Sequence, residues 1–456
     1  MRIWRFALLV SLAGPTTGCA GHAAQTKAAR SALDAGQPKA ALAELNDKLD
    51  VKSSDEMPKT LTGDKVLFLL DRAMVEHQLG RYDWVSRDLE ASDKQLLVLD
   101  FSRGSSDELG KYLFSDDTGP YRAPAYEKLL VNTINMQSYL ARGNLEGARV
   151  EARRLSVLAE YFKNAGQGSK AFVAPGSYLA GFIFEKSDKP DEALRYYDEA
   201  LAQTKLPSLT SAVQRLALQS SYRSPRIEEL ARAEKGVATP AAVGKEAKSA
   251  EPGQEPAEIL VIVNYGRVPE KIAERLPIGL ALTYASGAIS PTDASRANRL
   301  AAQGLVTWVN YPRLGKGRGA WTNPTFSLDG KWQSLDGALA VDVAAEQAWN
   351  EVKGKVIASA ITRTITRLAA GEIASRTTKN QLLGLLLSLG TQATMTAMDT
   401  PDTRSWSTLP GRIAIGRVQV PAGTHVVELG IDREIRREKV TLKPGGWAAI
   451  VHTVLR

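Results

Sequence analysis

The sequence predicts a multidomain protein, in which an all-α helical-repeat domain is followed by an α+β domain with an antiparallel C-terminal β-meander. Three observations support this fold class. Apolar residues recur every three or four positions through much of residues 19–234, which is the helical period. Residues 235–257 are rich in Ala, Pro, Gly, Lys and Glu and contain no aromatic side chain, so we expect a linker. In residues 258–456 the strand candidates show a period of two.

The amino-terminal helices are predicted to form hairpins. Apolar side chains at positions 145, 148, 152 and 155 share one helical face, and a second apolar stripe precedes them. Arg142-Gly143-Asn144 supplies the turn between the two helices. The same design recurs around Gly80 and around residues 187–190, and more faintly around Gly36.

These hairpins resemble tetratricopeptide-type repeats, in which a small residue closes the first helix and an Ala near the start of the second allows close packing. The turns at Gly36, Gly80 and Gly143 are irregularly spaced and further apart than the period of about 34 residues of that repeat. We therefore expect an irregular insertion, for which residues 93–126 are the candidate. Stacked repeats leave a concave groove, so the sequence predicts a groove that binds envelope proteins; a purely structural arm is the alternative.

Strand patterns dominate the second domain. Residues 258–266 form an apolar, β-branched run that predicts a buried strand, and residues 304–311 are a second candidate. The predicted meander has four strands joined by Pro- and Gly-containing turns: Arg412–Val420, His425–Ile431, Lys439–Leu442 and Trp447–Leu455. The pattern from Val420 to Leu429 resembles the PEGA-type small β-sandwich of bacterial surface proteins.

The amino terminus has the features of an export signal. Arg2 and Arg5 precede the apolar run Phe6–Ala13, and Gly18 precedes Cys19, which is the only cysteine. The sequence therefore predicts a lipoprotein signal peptide over residues 1–18 and a lipid on Cys19, although Thr16 stands where such signals usually have Leu. Ordinary secretion with cleavage nearby is the alternative. The expected location is the bacterial cell envelope, with the protein lipid-anchored in the outer membrane and facing the periplasm.

The charge of the chain limits the partners to be expected. The formal net charge is +8, and it falls to +6 when residues 1–18 are removed, because that segment contains two Arg and no acid. Export argues against a nucleic-acid partner, whereas basic surface suits anionic lipid headgroups or cell-wall polymers. With a single cysteine no intramolecular disulfide can form.

A long helical region is expected near residues 340–399, and its most apolar part is residues 380–398, which contain no charged side chain. The length is close to the ~20 residues that a membrane span needs, but Asn380, Gln381 and Gln392 dilute the apolar character. We expect a buried core helix, with membrane insertion or self-assembly as the alternative.

Catalytic signals are absent from the sequence. The four histidines are dispersed, and no zinc-protease helix motif, nucleophile elbow or paired cysteines occur. We therefore predict no catalytic residue, no metal ligand and no cofactor. The Gly-rich segment with Arg313, Lys316 and Arg318 has flexible amides and cations that could cradle an anion, and a hairpin loop between Trp308 and Trp321 is the alternative.

Asp402, Arg404 and Trp406 form the second candidate interaction site. Charge beside an aromatic ring is typical of a recognition corner. In the alternative, Asp402 pairs locally with Arg404 while Trp406 packs on the sheet.

Together with the runs 145–155 and 178–201, residues 402–410 resemble a group of uncharacterised bacterial envelope lipoproteins with an amino-terminal helical-repeat domain. The resemblance implies a lipid-anchored envelope protein that acts as a protein-binding scaffold or assembly factor. A membrane-associated or self-assembling module using residues 380–398 is the alternative, and a cell-wall enzyme is the third. The oligomeric state cannot be read from the sequence.

Overall fold

The computed structural model describes residues 22–101, 121, 123–164, 170–232, 255–304, 306–319, 323–376 and 401–456. Cys19, most of the predicted linker and the apolar segment 380–398 lie outside the described residues, as does the greater part of the predicted insertion at 93–126. The described residues form three layers, in which stacked helices cover one face of a β-sheet and a second sheet covers the other.

The amino-terminal layer is helical, as the sequence predicted. In chain order its helices are α1 (His22–Gln25), α2 (Lys27–Asp34), α3 (Pro38–Lys48), α4 (Lys65–Gln78), α5 (Tyr82–Phe101), α6 (Ala125–Ala141), α7 (Leu145–Asn164), α8 (Lys170–Glu185), α9 (Pro190–Leu201), α10 (Thr210–Ala217) and α11 (Pro225–Arg232). A short 3-10 turn, Pro207–Leu209, precedes α10.

Four helical hairpins share one turn geometry. They pair α2 with α3, α4 with α5, α6 with α7, and α8 with α9. In the second, Gly80 has a φ of 73° and the Arg81 amide donates to the Glu76 carbonyl at 3.0 Å. Gly36 and Gly143 repeat this geometry, and Asp188 takes the same role with a φ of 53°. Left-handed backbone at the helix end satisfies the last carbonyls and reverses the chain, so the predicted hairpins are confirmed.

Small residues set the helix spacing inside the hairpins. A Cβ atom on Gly181 of α8 would lie 2.3 Å from the Tyr197 ring of α9, and one on Gly147 of α7 would lie 2.4 Å from the Tyr139 ring of α6. The aromatic side chains therefore lie directly on the backbone of the neighbouring helix. The hairpins could not pack this closely with larger residues at these positions.

The carboxyl-terminal half contains ten strands and three helices within the described ranges. The strands are β1 (Ala257–Tyr265), β2 (Lys271–Pro277), β3 (Trp308–Leu314), β4 (Thr325–Leu328), β5 (Lys331–Gln333), β6 (Asp336–Ala340), β7 (Arg412–Val420), β8 (Gly423–Ile431), β9 (Glu434–Leu442) and β10 (Trp447–Val454). The helices are α12 (Ile278–Tyr284), α13 (Pro291–Ala302) and α14 (Val341–Arg376).

The C-terminal strands do not form the predicted meander. Strands β7 and β10 both flank β1, in the sheet order β10-β1-β7-β6, and β10 runs parallel to β1. Strands β8 and β9 pair as a hairpin in the second sheet, ordered β5-β4-β8-β9. Turn chemistry shows where the chain reverses, but the pairing partner is decided by burial. Since β1 is buried along its whole length, it needs a neighbour on each edge.

The side chains of β1 alternate between two cores. Leu260 and Ile262 belong to the core that β1 shares with the helices, whereas Ile259, Val261 and Val263 belong to the core between the two sheets. This explains the uninterrupted apolar run in the sequence, because both faces of the strand are covered. The helical and α+β domains therefore share one continuous core.

A smaller unit lies at the edge of this body. Strands β2 and β3 form a two-stranded antiparallel sheet, and α12, α13 and α14 pack against it around Trp349 and Ile361. Nowhere in the described ranges is a helix both long enough and apolar enough to cross a bilayer.

Candidate functional site

The structure pairs Asp402 with Arg404 inside the protein. The Nε and Nη2 atoms of Arg404 donate to the two carboxylate oxygens of Asp402 at 2.9 and 2.8 Å, and Nη1 donates to Asp64 at 3.2 Å. Both side chains are buried. Burial opposes the charge of Asp402, but the hydrogen bonds from Arg404 and the charge of Lys271 hold the pKa of this carboxyl below its usual value. These residues therefore join the 401–409 segment to α4 and do not form an exposed recognition corner.

Trp406 lies at the centre of the shared core. Its side chain has no exposed surface, and its backbone amide donates to the Glu127 carboxylate on α6 at 3.1 Å. Glu127 also accepts hydrogen bonds from Tyr121 and Tyr126. Burial raises the pKa of Glu127, and the nearby positive charge of Lys271 opposes this effect. Trp406 packs between helices and sheet, so it too is withheld from solvent.

A second buried charge cluster joins α8 to the first sheet. Arg417 on β7 contacts Glu185 of α8 and Glu258 of β1, and its Nη1 donates to the Tyr197 hydroxyl at 2.8 Å. Lys186 also contacts Glu258. Burial by itself would raise the pKa of Glu185, but the charges of Arg417 and Lys186 lower it to about 2. The cluster is therefore a set of ionised groups that hold the two layers together.

The chain's own sheet covers one face of the hairpin stack. Asn264 of β1 donates to Gln137 of α6 at 2.7 Å, and His77 of α4 lies 2.8 Å from the Thr453 hydroxyl of β10. Along α4, α6 and α8 this face is therefore occupied from within the molecule. Any surface that these helices leave accessible lies elsewhere.

An open groove remains on the other side of the helices. It has a volume of about 520 Å³ and lies between α7, α8, α9 and α11. We call it the helical groove and define it by these lining residues: Ser156, Ala159, Phe162, Lys170, Val173 and Gln203. On the opposite face of α7, Val150, Val157 and Tyr161 are 49%, 73% and 47% exposed. Their spacing of seven and four residues puts them on one helical face, and we call them the α7 stripe.

The structure divides the three basic candidates of the Gly-rich segment. Arg313 forms an ion pair with Glu274 of β2 and faces a groove beside α14. Lys316 lines this groove and also, together with Arg318, a second cleft of about 230 Å³. We call this second site the basic cleft; its charged lining residues are Lys27, Arg30, Asp34, Arg267, Glu270, Lys316 and Arg318.

The Gly-rich segment continues the pairing of β3 with β2. The Gly315 amide donates to the Glu270 carbonyl at 2.7 Å, and Arg318 exchanges backbone hydrogen bonds with Arg267 at 2.8 and 3.0 Å. A Cβ atom on Gly319 would lie 2.3 Å from the carbonyl oxygen of Arg456, so no larger residue fits. Through residues 315–318 the chain therefore pairs with residues 267–270 and does not loop out as a hairpin, whereas anion binding by the segment stays a prediction.

Positive charge exceeds negative charge in the basic cleft. Arg267 is 4% exposed and contacts Asp34, while Arg30 contacts Glu270. Burial lowers the pKa of Arg267, and the charges of Arg318 and Arg30 lower it further although Asp34 raises it. The Nε atoms of Arg267 and of the partly buried Arg30 are themselves buried and lack an acceptor among the described residues. Five cations thus face two carboxylates in this cleft.

The basic cleft adjoins the start of the described chain. Ser407 lines the cleft and donates to Asp71 at 3.4 Å, and Asp71 also accepts a hydrogen bond from the Thr408 hydroxyl at 2.7 Å. His22 Nε2 lies 3.0 Å from the same Asp71 carboxylate, and the His22 ring stacks on Phe68. No sequence motif points to this docking of His22, because its partners Asp71 and Phe68 lie more than 40 positions away.

In the part of the chain that the structure describes, no three His, Cys, Asp or Glu side chains are grouped to hold a metal ion. Comparison with protein-family models, with curated proteins and with solved structures found no match to this chain.

Proposed function

We propose that this chain is a lipid-anchored cell-envelope protein that acts as a protein-binding scaffold or assembly factor. The observation that carries the proposal is the α7 stripe, in which three large apolar side chains are exposed on one helical face. Exposed apolar groups on a regular surface are typical of protein interaction sites. The helical groove, on the opposite face of α7, is a second surface that suits an envelope-protein partner. The hairpin stack that carries both surfaces would be a tetratricopeptide-like repeat array.

The position of His22 supports the anchoring part of the proposal. His22 is three positions after Cys19, and an extended chain spans at most ~3.6 Å per residue, so the two residues can be only about 11 Å apart. His22 is buried against Asp71. A lipid on Cys19 would therefore hold the folded body directly at the membrane surface. A scaffold held in this way presents its helices in a restricted orientation.

Site-specific photocrosslinking in cells tests the scaffold. We expect a photoreactive residue at Val157, or at Gln203 in the helical groove, to capture one defined envelope protein. Leu218 is 89% exposed and lies on neither surface, so it serves as the matched control. Val150→Asp together with Tyr161→Asp should abolish capture from position 157, whereas Leu218→Asp should not. Capture at Val157 and Gln203 no stronger than at Leu218 would contradict the scaffold.

Metabolic labelling tests the anchor independently. A fatty-acid analogue should label the protein and should fail to label Cys19→Ser. Equal labelling of both proteins would contradict the attachment of a lipid to Cys19. The two alternative functions gain no support from the described residues, because the apolar segment 380–398 lies outside them and the enzyme interpretation has no associated site.

A further inference from the structure

The basic cleft has more positive charge than the fold itself uses. Two of its five cations are closely paired, since the buried Arg267 contacts Asp34 and the partly buried Arg30 contacts Glu270. Lys27 and Lys316 are exposed and have no acceptor within the described part of the chain. The guanidinium of Arg318 is 3.8 Å from Asp34, a long contact. The two lysines at the rim are therefore free to meet a ligand, and Arg318 is tied to Asp34 by a long ion pair, above the two closely paired guanidinium groups.

We propose that the basic cleft binds a phosphate group, and that an anionic lipid headgroup of the anchoring membrane supplies it. Guanidinium and ammonium groups together match a phosphate, because its oxygens accept several charge-assisted hydrogen bonds at once. The volume of about 230 Å³ suits a small anionic group rather than a folded peptide. The backbone pairing of residues 315–318 with residues 267–270 fixes the backbone of Lys316 and Arg318 at the rim.

The assignment of the bound phosphate to a membrane lipid rests on the proposed function, whereas the binding of a phosphate group by the cleft does not. Helix α2 forms one wall of the cleft, and Lys27 follows Cys19 by only eight residues. Ser407 and His22 share Asp71 as their acceptor, so the cleft adjoins the point where the anchored chain enters the body. An anchor at Cys19 would thus bring the cleft close to the headgroups. Cations near an anionic membrane surface are attracted to it.

The test uses the full mature chain carrying Cys19→Ser, which removes the lipid but keeps every residue of the cleft. Inorganic phosphate is titrated and followed by NMR, and flotation is measured with phosphatidylcholine vesicles with and without phosphatidylglycerol. The cleft variant combines Lys316→Gln with Arg318→Gln. The control combines Lys189→Gln with Lys205→Gln, which removes the same net charge from exposed positions that line neither the basic cleft nor the helical groove.

We expect cleft-dependent binding of both probes. Each membrane-facing cation contributes about 5-fold to association with an anionic surface, so the cleft variant should bind phosphatidylglycerol vesicles about 25-fold more weakly. The control variant should bind both probes as the parent does. If the cleft variant and the control variant lose equal affinity for the vesicles, the effect comes from net charge alone and the proposal is overturned. Absence of phosphate binding by the parent would also overturn it.

Two further outcomes separate the sources. If the cleft binds phosphate but the protein does not bind phosphatidylglycerol vesicles, the lipid is not the source of the phosphate group. The ligand of the cleft would then be a soluble phosphate compound. Binding to an acidic peptide but not to phosphate would overturn the phosphate chemistry. Failure of fatty-acid labelling at Cys19 would contradict the lipid anchor but would not affect the result of the phosphate titration. The two proposals can therefore fail separately.

Discussion

At the scale of single residues, contacts between neighbours in the sequence were predictable and contacts across the chain were not. The pairing of Asp402 with Arg404 was among the sequence-based alternatives because the two residues are two positions apart. The third partner, Asp64, is 340 positions from Arg404, and no local pattern points to it. Arg417 shows the same limit. In the sequence it occupies an ordinary polar position of an alternating strand. Its side chain is nevertheless only 2% exposed and forms ion pairs with Glu185 and Glu258.

Replacing Arg417 tests whether the buried cluster stabilises the interface between layers. Arg417→Met keeps a long side chain but leaves Glu185 and Glu258 buried without their shared cation. Removing one partner of a buried ion pair costs about 3 to 5 kcal/mol, so the free energy of unfolding should fall by that amount. Chemical denaturation measures the change. Arg437→Met is the control, because Arg437 is 70% exposed where it pairs with Glu428 and should contribute less than about 1 kcal/mol. A loss as small for Arg417→Met would contradict the stabilising role.

At the scale of elements, hairpins were predictable because their signals are local. A stripe of apolar residues, a turn residue and a second stripe fall within a few dozen positions, and Gly80 and Gly143 stand where the structure needs positive φ. Strand positions were also predictable from alternation, and β1 from its uninterrupted apolar run. The pairing partner of each strand was not predictable. Strand β10 pairs with β1, almost 190 residues away in the chain, and not with β9, which directly precedes it.

The turn glycines provide the test at this scale. Gly80 has a φ of 73°, and a Cβ atom there would meet nothing within 4 Å, so Gly80→Ala changes only backbone strain. A left-handed residue with a side chain costs roughly 1 to 2 kcal/mol, and we expect a loss of stability of that size. Gly279 of α12 also has open space around it but no positive φ, so Gly279→Ala should be neutral or stabilising. Equal losses in both variants, measured by thermal unfolding, would contradict the strain argument.

At the scale of the whole molecule, the division into two domains describes the sequence better than it describes the packing. Composition shifts sharply at residues 235–257, which predicted separate bodies. In the structure, Leu260 and Ile262 of β1, Trp406 and the helices belong to one core. A composition shift reports where the chain is exposed, whereas domain independence depends on how much apolar surface the two parts bury against each other. The shared apolar surface was not evident from the sequence, because it lies on strands such as β1, whose opposite face packs against the second sheet.

Cutting the chain between the two halves tests this shared core. A protease site inserted between residues 240 and 250 should be cleaved, because the segment has the composition of an exposed linker. The two fragments should nevertheless elute together in size-exclusion chromatography, since separation would expose the core around Trp406 and leave the Arg417 cluster unpaired. Adding Trp406→Ala removes a fully buried side chain from that core, and we expect the cleaved variant to dissociate at lower denaturant concentration than the cleaved parent. If the cleaved parent instead releases two monomeric, folded fragments, the halves are independent domains. The proposed lipid anchor at Cys19 would then position only the helices directly.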